Sequence, residues 1–123
     1  MTLIDARLIE GIRLFNKEEF FECHEVIEHL WLEVRDEYRN FYKGLIQAAV
    51  AIHHFKKENL SGALGLYKSS VDYLSSYPSV CLNVKSGKLV SDMKKCFAEL
   101  EIAGEKGKVK IKEKLIPKIE CAV

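Results

Sequence analysis

Phe41-Tyr42-Lys43-Gly44-Leu45-Ile46-Gln47-Ala48-Ala49-Val50-Ala51-Ile52-His53-His54-Phe55 is the stretch that decides the fold. At helical periodicity Phe41, Leu45, Ala48, Ile52 and Phe55 fall on one line, and Tyr42, Ile46 and Ala49 on another. A helix apolar on most of its sides sits in the middle of its domain, with other helices around it. Gly44, Ala48, Ala49 and Ala51 leave room for those neighbours to approach closely. Proline first occurs at Pro78, so long helices are unobstructed before that point.

Working outward, the spacing predicts four more helices. One covers residues 17–35, with Phe20, His24, Ile27, Trp31 and Val34 on its stripe. Before it, residues 2–16 carry Leu8, Ile12 and Phe15, with Thr2 or Asp5 as the cap. The central helix takes residues 37–57. After a short loop, Ser61 is the expected cap of a helix over 61–76, which Tyr77-Pro78 ends. Residues 80–87 read as irregular or briefly extended. The last helix covers 88–103, with Leu89, Met93, Phe97 and Leu100 inward, and Gly104 and Gly107 stop it. No internal repeat is evident. The expected architecture is all-α: a single-domain bundle of about five helices with a central buried helix hairpin over residues 1–104, followed by a basic arm over 105–123.

Composition sets the class. A chain of 123 residues that is 48% apolar and 30% charged has the mass for one core and is not a disordered sequence. A net charge of +1 gives no broad basic field, which argues against nucleic acid as a partner. The N-terminal stretch has no unbroken apolar region of the signal-peptide kind, and no uncharged window approaches the ~18 residues of a membrane span. The expectation is a cytoplasmic protein off the membrane, with Cys23, Cys81, Cys96 and Cys121 as reduced, hydrophobe-like thiols. Charge is uneven: residues 5–37 sum to −6 and residues 105–118 to +4. Lys108-Val109-Lys110-Ile111-Lys112 alternates like a short edge strand. The arm reads as a solvated segment that returns Leu115, Ile116 and Ile119 to the core. Binding of polyanions by its lysines is the weaker reading, because no aromatic residues are interleaved with them.

The dense chemistry lies in Phe20-Phe21-Glu22-Cys23-His24-Glu25-Val26-Ile27-Glu28-His29-Leu30-Trp31. His24 and Glu28 fall about 40° apart on a helix, so an imidazole nitrogen and a carboxylate oxygen can meet one metal ion. Glu25 lies within reach as a general base. The order H-E-x-x-E is the zincin H-E-x-x-H with Glu28 in place of the second His, but it lacks that motif's continuation. Because His24 sits on the apolar stripe, the same facts fit a buried imidazole whose partner is Glu28, a packing pair without chemistry. The central helix offers Gln47, His53 and His54. Gln47 and His54 share a face within about 20°, and an antiparallel hairpin would bring Gln47 to the level of His24 and Glu28.

Together with Gly44-Leu45-Ile46-Gln47-Ala48-Ala49, this segment resembles the family catalogued as domain of unknown function 309, over roughly residues 8–100. Gly62-Ala63-Leu64 fits that family's next helix start. The resemblance implies a small helical protein, some members of which are labelled predicted metal-dependent hydrolases. It marks His24, Glu25, Glu28, Trp31, Gly44, Gln47 and His54. Two functions follow for the chain. The first is a structural or interaction module for a protein partner or a second copy, with Trp31, Tyr38, Phe41 and Tyr42 as aromatic anchors. The second is a metal-dependent hydrolase, with a divalent metal such as zinc on His24, Glu28 and His54, and Glu25 as base. Only His24 and Glu28 are clearly placed as ligands, whereas catalytic zinc takes three. The interaction module therefore ranks first.

Overall fold

The computed structural model describes residues 3–123 and consists of five α-helices and one 3-10 turn. They are α1 (Ala6–Asn16), α2 (Phe20–Glu33), α3 (Arg39–Lys56), α4 (Leu60–Ser75) and α5 (Ser86–Ala103), with the 3-10 turn at Glu113–Leu115. The fold is all-α, as the periodicity predicts. Helices pack principally on their neighbours in the chain, and the most extensive interface joins α3 and α4. α3 is the central element: Phe41, Leu45, Ala48, Ala49, Ala51 and Ile52 are fully buried. Among the described residues no helix is long and apolar enough to cross a membrane.

Local chemistry sets the helix ends. Asp5 caps α1 by accepting the Arg7 backbone N–H at 2.8 Å. The alternative cap, Thr2, lies outside the described residues. α4 begins one residue earlier than expected because Asn59, rather than Ser61, accepts the Gly62 N–H at 3.3 Å. α5 stops at Gly104, whose φ of +74° is a glycine conformation.

The structure also holds a repeat that the sequence does not advertise. Phe15-Asn16-Lys17-Glu18-Glu19-Phe20 and, forty residues later, Phe55-Lys56-Lys57-Glu58-Asn59-Leu60 form the same connection. Glu18 and Glu58 both have φ of 61°. In the first turn the Glu18 N–H bonds Phe15 O at 2.9 Å and the Glu19 N–H bonds Leu14 O at 2.9 Å. In the second, Glu58 bonds Phe55 O at 3.1 Å and Asn59 bonds His54 O at 2.9 Å. This paired bonding closes a helix with a left-handed residue. The buried positions repeat at the same offset: Gly11 with Ala51, Ile12 with Ile52, Cys23 with Ala63, Ile27 with Tyr67, and Leu30 with Ser70. The molecule is therefore two stacked helical hairpins, α1–α2 and α3–α4, closed at one end by α5.

The arm returns along α5. Ile116, Pro117 and Ile119 are buried. The Asn16 side chain brackets Ile119, accepting its N–H at 2.7 Å and donating to its carbonyl at 2.9 Å. Residues 108–112 alternate in burial as expected of an edge strand, but among the described residues no strand pairs with them. Extended pairing occurs instead at Cys81–Val84, a tight turn with Leu82 at φ 49° and Asn83 at φ 65°, and from Val84 to Cys121.

Candidate functional site

α2 and α3 lie side by side. Phe21 of α2 meets His53 of α3 at one end of their seam, and Trp31 of α2 meets Arg39 and Lys43 of α3 at the other. His24 and Glu28 share the α2 line of Phe21 and Trp31, and Gln47 shares the α3 line of Arg39 and Lys43.

At one end of the seam the His24 side chain is 22% exposed. Its Nδ1 lies 3.1 Å from the Phe21 carbonyl, which makes Nδ1 the donor. Its Nε2 lies 3.3 Å from Glu28 Oε2. Both ring nitrogens are thus directed at protein oxygens, and the arrangement is complete when a proton or cation is shared between Nε2 and Glu28. Phe21 packs against His24 at 5.3 Å between ring centroids, and against His53 at 5.9 Å. Burial holds the His53 imidazole below its ordinary value, the positive charges of His54 and Lys57 push the same way, and Glu22 opposes them.

His53, not His54, is therefore the histidine that α3 turns toward α2. His54 faces the next connection, where Asn59 Nδ2 lies 3.3 Å from its Nδ1. One residue along a helix is a rotation of about 100°, enough to separate the two. Glu25 is on another face of α2, in an open hollow with Arg7, Val26 and His29. There Arg7 pairs with Asp5 at 3.0 Å and Glu33 at 2.7 Å, tying α1 to the end of α2. Gly44 faces α4: a Cβ there would stand 2.8 Å from Leu74, and its carbonyl accepts the Ser70 hydroxyl at 2.9 Å. Among the described residues no three His, Cys, Asp or Glu side chains converge as a ligand set.

The other end of the seam centres on Trp31. The Arg39 guanidinium carbon lies 4.1 Å from the indole centroid and Lys43 Nζ lies 4.5 Å from it. Such contacts are worth about 0.5–2 kcal/mol each, depending on solvation. Trp31 Nε1, Arg39 Nε and Gln47 Oε1 are buried without a protein hydrogen-bond partner. A buried unsatisfied polar atom costs roughly 1–3 kcal/mol. In the sequence Arg39 and Lys43 carry no signal beyond their i, i+4, i+8 spacing with Gln47.

Two of the expected aromatic anchors are core residues. Phe41 is fully buried, and Tyr42 is buried enough to push its hydroxyl up to about 12, with Asp36 and Asp5 adding to the shift. Burial likewise pushes the Cys23 and Cys96 thiols up to about 12, so both stay protonated as packing groups. Cys81 is also buried and free, whereas Cys121 is exposed.

These features define a class: an all-α protein of two stacked helical hairpins with a polar row along the α2–α3 seam. Residues 8–66 match the family described as "Domain of unknown function (DUF309)". The resemblance read from the paired motifs thus holds over α1, α2, α3 and the first turns of α4, a shorter stretch than residues 8–100. The chain is 31% identical over 86 residues to the Bacillus subtilis protein "Uncharacterized protein YpuF", an alignment covering 68% of this chain and 49% of that protein. It is 27% identical over 100 residues to an "Uncharacterized protein" of Aquifex aeolicus, covering 80% of this chain and 30% of that protein. The aligned stretch is thus about half or less of each relative's own length.

Proposed function

We propose that this chain is a helical recognition module acting in the cytoplasm, in which the His24–Glu28 pair braces α2 and the Trp31 end of the α2–α3 seam meets a partner protein. The observation that carries the reading is the engagement of His24: Nδ1 at 3.1 Å from Phe21 O and Nε2 at 3.3 Å from Glu28. An imidazole held on both sides by its own helix serves α2 first. Buried free thiols at Cys23, Cys81 and Cys96 support a reducing setting.

The test is His24→Ala in the full chain, purified without a histidine tag. The module reading expects urea unfolding to shift by about 0.5–1.5 kcal/mol, the net worth of the bonds His24 makes to the Phe21 carbonyl and the partly exposed Glu28. It also expects the wild-type protein to carry far less than one metal ion per chain. An unchanged unfolding midpoint, together with stoichiometric metal that the variant loses, overturns it.

One observation favours the second reading, a metal-dependent hydrolase. Nε2 and a carboxylate oxygen stand side by side, the arrangement a divalent ion such as zinc shares. On that reading His24 and Glu28 are ligands, His54 turns away from Asn59 to join them, and Glu25 is the base. Both His54 and Glu25 would have to leave their present surroundings, which is why the module reading is preferred.

A further inference from the structure

We propose that Trp31, Arg39, Lys43 and Gln47 form a binding site for an acidic peptide segment of a partner protein. The site would take a carboxylate and an adjacent backbone N–H together. The proposal rests on the recognition-module reading and assigns it a ligand.

Three observations carry it. First, two cations are held against one indole, with Arg39 Cζ at 4.1 Å and Lys43 Nζ at 4.5 Å from the ring centroid. Among the described residues no carboxylate lies within pairing distance of either cation, and what sets these two apart from other unpaired cations is that both lie on one indole. The two acids of α2 that flank Trp31 are engaged elsewhere, Glu28 by His24 and Glu33 by Arg7. Two like charges brought together on an aromatic face call for an anion, and a carboxylate matches the guanidinium fork.

Second, the orphaned polar atoms describe what that anion is attached to. Trp31 Nε1 and Arg39 Nε are donors in need of acceptors, and Gln47 Oε1 is an acceptor in need of a donor. A bare oxyanion supplies acceptors only. A peptide carrying Asp or Glu supplies carboxylate oxygens and, beside them, an amide N–H for Gln47. Third, the two cations on the indole are long, partly exposed side chains at i and i+4 on α3, so a ligand can meet them without either helix moving.

The chain supplies its own reporter, since Trp31 is the one tryptophan in the sequence. The full chain is titrated at low ionic strength with an acetylated peptide of alternating Glu and Ser, and Trp31 emission is followed. The proposal expects a saturable change in emission, none with the same peptide carrying Gln for Glu, and loss of the response as salt is raised. Arg39→Gln and Lys43→Gln are each expected to weaken binding by about tenfold or more, as for loss of a charge-assisted contact. Lys108→Ser with Lys110→Ser, in the basic arm, is expected to leave binding unchanged. Unaltered far-UV circular dichroism shows that the variants fold, and Arg39→Lys, which keeps the charge but not the fork, is expected to fall between wild type and Arg39→Gln.

The proposal is overturned by an absent response to the acidic peptide, by an equal response to the Gln peptide, or by an equally tight response to inorganic phosphate, which would make this a simple oxyanion site. It is also overturned if the arm variant, rather than Arg39→Gln or Lys43→Gln, abolishes binding. Any of these leaves the recognition-module reading to stand or fall separately on the His24→Ala unfolding result.

Discussion

The two helical hairpins have the same skeleton and different surfaces. α1–α2 and α3–α4 close with the same left-handed glutamate turn and share a line of buried positions that includes Leu8 with Ala48, Ile12 with Ile52 and Phe15 with Phe55. On the outside they diverge. Where α2 has Phe21, Glu22, His24, Glu25, Glu28 and His29, the equivalent positions of α4 hold Ser61, Gly62, Leu64, Gly65, Lys68 and Ser69. The scaffold is repeated and the chemistry is not. Whatever the His–Glu motif does, the hairpin backbone does not require it, because α4 forms the same hairpin with none of those groups.

The sharpest way to break this equivalence is at its buried aromatic pair. Phe15 and Phe55 occupy matching positions, both essentially fully buried. Phe15 packs edge-on against Phe20 at 5.1 Å, while Phe55 packs against Phe97 of α5 at 5.0 Å. Phe→Ala at either site is expected to cost about 3–5 kcal/mol. The loss should be greater at Phe55, which joins the second hairpin to the closing helix. Urea unfolding followed by Trp31 emission and by far-UV circular dichroism checks both. Coincident curves for Phe15→Ala mean the hairpins unfold as one unit. A separate early transition in Trp31 emission would show the first hairpin melting alone, and the molecule would then be two weakly coupled repeats.

Most of this skeleton was legible in the sequence. The apolar lines of α3 and the stripes of α1, α2, α4 and α5 placed every helix to within a few residues, because burial on one face leaves a strong period. The repeat leaves only a short trace in the sequence, Ile12, Phe15, Lys17 and Glu18 recurring as Ile52, Phe55, Lys57 and Glu58, because the buried positions beyond the turn differ in type: Cys23 answers to Ala63, and Leu30 to Ser70. A left-handed residue is usually signalled by glycine, and here it is glutamate in both turns. The pairing of His24 with Glu28 was readable from i, i+4 spacing alone. The choice of His53 over His54 depended on the rotation of α3 about its axis, which an all-round apolar helix does not reveal. The row of Arg39 and Lys43 on Trp31 depended on the register of α2 against α3, which is a tertiary fact.

A middle-sized effect sharpens the comparison at the start of the second helix in each hairpin. Asn59 caps α4 through its side chain, whereas Glu19, its counterpart before α2, makes no such bond. Asn59→Ala is expected to destabilise the protein by about 1 kcal/mol, the usual worth of an N-cap. Glu19→Asn is expected to gain a similar or smaller amount by giving α2 the cap that α4 already has. Chemical denaturation of both variants decides the matter. If Glu19→Asn gains nothing while Asn59→Ala loses stability, the two turns are alike in backbone but not in how their following helices begin.

The smallest effect tests the left-handed glutamates themselves. An L-residue with positive φ carries roughly 1–2 kcal/mol of strain, and glycine relieves it at an entropic cost of about 0.5–1 kcal/mol in the unfolded chain. Glu58→Gly is therefore expected to raise stability by about 0.5–1 kcal/mol. Glu18→Gly relieves the same strain but removes more, because Glu18 pairs with Lys56 at 3.1 Å and lies 3.8 Å from Lys118 of the arm. Partly exposed pairs of this kind contribute about 0.2–1 kcal/mol, so the gain at position 18 is expected to fall close to zero. Raising the salt concentration separates the two effects: it screens the Glu18 pairs in the wild type and leaves the backbone strain untouched, so the advantage of Glu18→Gly over wild type should grow with salt while that of Glu58→Gly stays constant. Equal gains at both positions at low salt would mean that the Lys56–Glu18–Lys118 contacts add nothing, and that the first turn is joined to α3 and the arm by packing alone.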